Sequence, residues 1–314
     1  MKDFIFEEDE PRDSVAFEFE PSLFHHLSHL KLQRNADWRW YYITNPKRKK
    51  IFGSLYMNIG SGGVTSAVRS PFGTVECVSD IPAEVLYDFI VFVEKSMRKL
   101  GTPAITIKNP PYAYAPRNMA LLSTFLPNLG YAIEAAEISA CVAVDGPFDR
   151  KINNMQKQVL QKAHQKGLHY KVIPIELLQE VYQFIERCHQ EKGYQLSMNY
   201  SDLFEAVQKL PHRYLLSGVF LNEVMVASSV AVQVYGTLLY NFYMAHDPIY
   251  NKFSPAISLI EGLYQYCIEN EMSLLDLGTS AFNGQPNFSL LDFKIRLGAT
   301  LTPKITFKKV LIHG

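Results

Sequence analysis

Between residues 82 and 101 the apolar positions Val85, Leu86, Phe89, Ile90, Val93 and Met97 recur every three or four residues. That spacing marks one face of a helix. Pro82 suits its first turn, and Gly101 ends it. Ahead of it, Phe24 to Leu32 predicts a short helix, followed by an aromatic segment, Trp38 to Ile43, and the basic turn Lys47-Arg48-Lys49-Lys50. Ile51 to Ile59 and Val64 to Val68 predict strands broken by Gly60-Ser61-Gly62-Gly63. No helix start follows those glycines, so they fit a hairpin turn better than a phosphate loop. After Gly101, Ala104 to Lys108 predicts a buried strand stopped by Asn109-Pro110-Pro111. Asn118 to Leu129 predicts a helix closed by Gly130, and Glu137 to Val144 a further strand.

The second half repeats this order. Glu176 to Lys192 and Ser201 to Leu210 have amphipathic helical spacing. Tyr214 to Phe220 and Val224 to Val234 predict strands joined at Asn222-Glu223, with Thr237 to Met244 a third strand. Pro255 to Asn270 predicts a helix, Leu274 to Leu277 a short strand, Ser289 to Leu297 a helix and Lys304 to Val310 a closing strand. A meander followed by helix, strand, helix and strand therefore occurs twice. The expected class is α/β (α+β), with two tandem domains at residues 1–148 and 149–314. Each has a mixed, mostly antiparallel central sheet flanked by helices.

Between the halves, Lys151 to Gly167 predicts a helix with Ile152, Met155, Val159, Leu160 and Ala163 on its apolar face. Its other face carries Lys151, Lys157, Lys162 and Lys166, with no acidic residue between Asp149 and Glu176. Such a one-signed face is either solvated, packed between domains, or turned toward an anion.

Composition narrows the function classes. The chain has 314 residues, 47% hydrophobic and 20% charged, enough for two cores. Its net charge of zero lacks the electrostatic footprint of a general nucleic-acid binder. No apolar run is long enough for a membrane span, and the acidic N-terminus is no signal peptide, so a cytoplasmic location is expected. Cys77, Cys141, Cys188 and Cys267 lie far apart and are expected to be free thiols. His25-His26-x-x-His29 lacks carboxylates or cysteines at matching spacing and is expected to be an exposed helix face rather than a metal site.

The junction from Tyr243 to Ser258 carries the most chemistry. An aromatic strand ends at Ala245-His246-Asp247, and Ser254-Pro255 opens the next helix. A helix start exposes unpaired N–H groups and the positive end of the macrodipole, which suits a phosphate or carboxylate. Asn251 and Lys252 would add donors and a charge. An ordinary capped helix is the alternative.

Tyr240 to Pro255, Leu275-Asp276-Leu277-Gly278 and Phe293-Lys294-Ile295-Arg296-Leu297-Gly298 together resemble the C-terminal pattern of the Fem-type branch of the GNAT superfamily, the acyl-CoA N-acyltransferase fold. In the first half, Ile105-Thr106-Ile107-Lys108, Tyr112, Leu129-Gly130-Tyr131 and the basic helix ending Lys162-Ala163-x-x-Lys166-Gly167 resemble the N-terminal half of that branch. The resemblance implies transfer of an acyl or aminoacyl group from acyl-CoA or aminoacyl-tRNA to an amine acceptor, a small molecule or a cell-wall precursor. The glycine-containing loop usual for acetyl-CoA is replaced by Asn251-Lys252-Phe253-Ser254-Pro255-Ala256, which fits the Fem-like branch.

Amine attack on an acyl group needs a route for a proton and a donor for the oxyanion. Asp247 and His246 are candidates for the base, and Tyr243 for the donor or acid. Asn251, Lys252, Ser254 and Ala256 are candidates for holding the donor, and Asp276, Lys294 and Arg296 for substrate. No metal is expected. Each has a structural alternative: a turn for Asp247 and Asp276, sheet packing for Tyr243, solvent for His246, Lys294 and Arg296. The competing function is a ligand-binding or scaffold protein that keeps the fold without turnover.

Overall fold

The structure, a computed structural model, describes residues 4–10, 15–33, 37–45, 47–282 and 285–311. Its main strands are β1 (Ile5–Glu8), β2 (Asp37–Asn45), β3 (Lys50–Gly60), β4 (Gly63–Thr65), β5 (Ala104–Lys108), β6 (Ala132–Ala143), β7 (His169–Ile173), β8 (Tyr214–Leu221), β9 (Val224–Tyr235), β10 (Leu238–His246), β11 (Leu274–Thr279) and β12 (Thr300–Val310). The main helices are α1 (Ala83–Lys99), α2 (Pro116–Asn128), α3 (Asn154–Gln165), α4 (Leu178–Gln190), α5 (Tyr200–Lys209), α6 (Pro255–Glu269) and α7 (Phe288–Arg296).

The chain divides into two compact units, Met1–Ile138 with Thr302–Gly314, and Ser139–Leu301. The first has strand order β1-β2-β3-β4-β5-β12-β6. The glycine run forms the expected hairpin, with Gly60 opposite Gly63. Its core joins Ile43, Leu55 and Met57 of the sheet to Leu86, Phe89 and Val93 of α1, Leu122 and Leu126 of α2, and Phe307. The units do not follow the linear boundary at 148/149. Thr306–Val310 pair with Ala104–Lys108, so the last strand in sequence completes the first unit. The first half's own final strand, β6, ends by pairing Cys141–Ala143 with Leu274–Asp276 in the second unit.

The histidine expectation is corrected. His25 and His29 are 3% and 7% exposed. His25 stacks on Tyr56 at 4.7 Å between ring centroids, and its Nδ1 lies 3.7 Å from Glu76. The aromatic side chains of β2 and β3 give the imidazole a surface to pack on, which spacing along the helix does not reveal.

The second unit has strand order β6-β11-β10-β9-β8-β7, with β10 and β11 parallel and the other pairs antiparallel. Asn222 and Glu223 both take positive φ at the β8–β9 turn, the geometry a two-residue hairpin requires. Helices α4 and α5 cover one face through Val181, Tyr182, Ile185, Leu203 and Val207, against Val230, Tyr243 and Ala245. Helix α6 covers the other through Ile257, Ile260, Leu263 and Tyr264, against Ala231, Leu239 and Leu275. Leu239 and Tyr243 are four residues apart yet face opposite sides, so the period-2 alternation is broken between them. The ladder shows where: Asn241 opposes Ala231 and Tyr243 opposes Val230, leaving Phe242 as the extra residue of a β-bulge.

In α3, Leu160 and Ala163 are buried, and Lys157, Lys162 and Lys166 are exposed. Met155, expected on the apolar face, is instead 59% exposed. All four cysteines are free and buried.

Gly262 in α6 lets the Tyr170 ring lie against the helix backbone. A Cβ at Gly262 would be 2.1 Å from the ring. Gly262→Ala should therefore cost about 1–3 kcal/mol through overpacking, read as a lower midpoint in urea unfolding with an unchanged slope.

Candidate functional site

The parallel pair β10–β11 is short. Leu238, Leu239 and Tyr240 pair with Leu274, Leu275 and Asp276, and the pairing then stops while β10 continues to His246. The turn of β11 has a visible cause. Asp276 opposes Cys141 and Thr279 opposes Ser139, so β11 has one extra residue in this interval. Gly278 takes φ +76°, a left-handed conformation that a side chain would strain. Asp276, 1% exposed, accepts hydrogen bonds from the Gly278 N–H at 2.7 Å and from the Ser139 hydroxyl at 2.9 Å. Lys294 of α7, 5% exposed, donates from Nζ to the carbonyls of Gly278 and Thr279, each at 2.9 Å.

Asp276 and Lys294 are thus brought together around one backbone bulge, and neither is exposed to solvent. Burial lowers the Lys294 pKa to about 8, with Asp276 and then Cys141 opposing the shift. Arg296 is not part of this group: it is exposed and donates to the Asp292 carbonyl at 3.2 Å.

The other edge of the opening is β10. The Asp247 N–H bonds the Val226 carbonyl, and Ala227 opposes His246. In an antiparallel ladder this fixes the alternation: backbone groups of Asp247, Ala245 and Tyr243 point toward β9, and those of Met244 and His246 point away. Beyond Tyr240 that outer edge has no strand partner among the described residues. His189 of α4 reaches it, with Nε2 lying 3.3 Å from the Met244 carbonyl oxygen.

The residues expected to act at the strand end fall into distinct environments. Tyr243 is buried; its hydroxyl accepts from the Met198 N–H at 2.8 Å and contacts the Ser197 hydroxyl at 2.7 Å. Burial raises its pKa. Asp247 Oδ1 accepts from the Ile249 N–H at 3.0 Å, and Oδ2 from Arg187 at 3.3 Å. His246 is half-buried. Burial chiefly lowers its pKa, Lys192 lowers it further, and a hydrogen bond with Asn251 raises it.

A 3₁₀ turn, Pro248–Phe253, leads from there into α6. Asn251 and Lys252 are exposed on it, and Lys252 lies 5.0 Å from the centre of the Phe253 ring. Ser254 stands at the N-cap position of α6, where a serine side chain commonly caps the first turn. It instead takes φ 55° and ψ 50° and makes no side-chain cap bond, because the preceding turn delivers the chain in a left-handed conformation. Pro255 and Ala256 begin the helix, whose first-turn N–H groups have no intrahelical partner.

A sequence profile for the acetyltransferase (GNAT) domain matches residues 150–293, which contain the open edge, the turn and α6. Residues 150–293 thus match a GNAT domain. No curated protein matches the sequence. Solved structures share the fold over most of the chain. The crystal structure of FemX is 12% identical, with a TM-score of 0.69 over 93% of each chain. L-PGS from Bacillus licheniformis is 14% identical, with a TM-score of 0.54 over 82% of this chain and 80% of that one. A tandem GNAT protein from the clavulanic acid biosynthesis pathway is 10% identical, with a TM-score of 0.53 over 99% of each. The fold is a Fem-like tandem GNAT fold.

Sequence reasoning missed Arg187 and His189 in this GNAT domain. Both lie on the polar face of an amphipathic helix, where spacing offers no sign that they reach the end of a strand far along the chain.

The sign of the Lys294 shift gives a stability test. Its folded pKa lies below the unfolded value, so between about pH 8 and 10.5 the unfolded chain binds more protons and stability rises with pH. Lys294→Met should lose this rise. The measurement is the wild-type minus variant unfolding free energy from pH 7 to 10; a flat difference counts against a buried, charged Lys294.

Proposed function

We propose that the second unit transfers an acyl or aminoacyl group to an amine. The open outer edge of β10 carries this reading. Met244 and His246 present backbone N–H groups there that no neighbouring strand takes up among the described residues. A carbonyl laid along that edge would meet fixed donors, which stabilise the oxyanion of a tetrahedral intermediate without reorganising.

The start of α6 supplies the other end of the donor's site. Its unpaired N–H groups at Ala256, with Asn251 and Lys252 just before it, suit the phosphates of a CoA thioester or of the acceptor end of an aminoacyl-tRNA. Ser254 shapes the turn that aims them. The Lys294 ammonium and Asp276 keep β11 away from β10, and Asp247 and Tyr243 fix the ends of the β10 edge. Arg296 contacts an anionic portion of the substrate from the exposed face of α7. The acceptor is a small amine or a cell-wall precursor, and the reaction takes place in the cytoplasm.

A second reading, ligand binding without turnover, draws on the glycine-free loop from Asn251 to Ala256. Donor hydrolysis or transfer separates the two.

Calorimetric titration with CoA, an acyl-CoA and an aminoacyl-tRNA should give saturable binding to one of them, followed by transfer to an added amine. Saturable binding to none of the three overturns the proposal. Lys252→Ala should weaken donor binding about tenfold, roughly 1.4 kcal/mol, with no change in unfolding midpoint.

A further inference from the structure

The side chain that reaches the open edge of β10 comes from α4. His189 Nε2 lies 3.3 Å from the Met244 carbonyl oxygen, on the side of β10 that β11 has left. A carbonyl oxygen only accepts, so the imidazole donates through Nε2. In the neutral ring that places the remaining lone pair on Nδ1. The ring is half-buried, so a ligand in the opening can approach it, and nothing bonds Nδ1 among the described residues.

The surroundings hold the ring neutral. Burial is the main influence lowering its pKa; the Met244 bond opposes this, and the Lys192 ammonium adds to it. The Tyr194 ring centre is 6.3 Å away, and Arg187, two residues earlier on α4, pairs with Asp247 at the end of β10. Asp247 is paired with Arg187, so it offers little charge to hold a second proton on His189.

The other candidates for this task are engaged. Both carboxylate oxygens of Asp247 have donors, and the Tyr243 hydroxyl is taken by Met198 and Ser197. His246 is turned to Asn251.

We propose that His189 is the general base of the transfer, accepting the acceptor amine's proton on Nδ1; this rests on the acyltransferase reading. As the amine nitrogen attacks the acyl carbon, the carbon–nitrogen bond forms and the proton on nitrogen passes to Nδ1. Collapse of the tetrahedral intermediate breaks the carbon–sulfur bond of a thioester, or the carbon–oxygen bond of an aminoacyl ester. The imidazolium then returns its proton to the leaving thiolate or alkoxide. The Met244 carbonyl fixes the tautomer, and the adjacent Met244 N–H sits on the same edge for the oxyanion.

The test compares wild type with His189→Gln, whose amide can still donate to Met244 but cannot accept the proton, and with His189→Ala. Steady-state rates are followed from pH 5 to 9 with the donor identified by titration. The wild-type rate should fall on the acid side with an inflection below pH 6.5. Both variants should lose about 100-fold in kcat and lose that inflection, with donor affinity unchanged. Added imidazole should restore part of the rate to His189→Ala. A variant with wild-type kcat and pH profile overturns the assignment. Nitrogen-15 NMR of the wild-type protein decides it without any variant: an Nδ1–H tautomer, or a ring still protonated at pH 7, overturns it. Absence of transfer by wild type from every donor would instead overturn the acyltransferase reading, while the tautomer measurement would still report on His189.

Discussion

A buried clamp on the end of β11 sets the shape of the second unit. Two adjacent parallel strands gain a hydrogen bond for nearly every residue they keep in register, so their separation after Tyr240 and Asp276 requires something to compete. The Asp276 carboxylate holds the Gly278 N–H, and the Lys294 ammonium holds the Gly278 and Thr279 carbonyls. Polar groups of the backbone that would otherwise face β10 are satisfied within the bulge. Taking both charges out of water costs several kcal/mol each unless nearly every polar atom finds a partner, and here the partners are the bulge itself. Replacing one charge would leave the other buried, so the two side chains act as one device. The bulge at Phe242 is its counterpart on β10, turning Tyr243 and Ala245 onto the α4 face.

Much of this fold was legible in the sequence. Helical spacing from Val85 to Met97, the hairpin at Asn222-Glu223 and the Ser254-Pro255 helix start are local signals, and each corresponds to an element of the structure. The order of strands and helices in both halves, which carried the resemblance, is likewise a property of consecutive segments. What was not legible depends on long-range packing. Lys294 and Asp276 carry the same formal charges on a surface or in a bulge, and only the tertiary fold places them 1–5% exposed. His25 and His29 looked like an exposed face because nothing local shows that Tyr56, Phe24 and Glu76 surround them. His189 gave no signal because its partner is a backbone carbonyl, which has no sequence identity. The pairing of β12 with β5 was hidden for a related reason: a strand's sequence declares its faces more clearly than its neighbour.

The first unit shows what happens at the equivalent opening without such a clamp. Its parallel pair, β4 with β5, begins in the same way, with Val64 opposite Ile105 and Thr65 opposite Thr106. The chain then stays on β5. The Ser66 N–H bonds the Thr106 carbonyl, the Ser66 hydroxyl accepts from the Lys108 N–H at 3.0 Å, and the Gly73 N–H bonds the Lys108 carbonyl. Ala67 and Phe72 of the intervening segment are 2% and 1% exposed, so the loop is packed as core. Gly73 is suited to this closure, since a Cβ there would lie 1.8 Å from the Ser66 carbonyl oxygen. The backbone groups that the second unit leaves on an open edge are therefore consumed in the first by its own chain. A carbonyl-bearing ligand would have to displace these bonds and expose buried apolar side chains to enter the first opening. In the second it would meet donors that no strand pairs among the described residues. That difference in cost, rather than any difference in strand order, supports assigning the transfer chemistry to the edge formed by Met244 and His246.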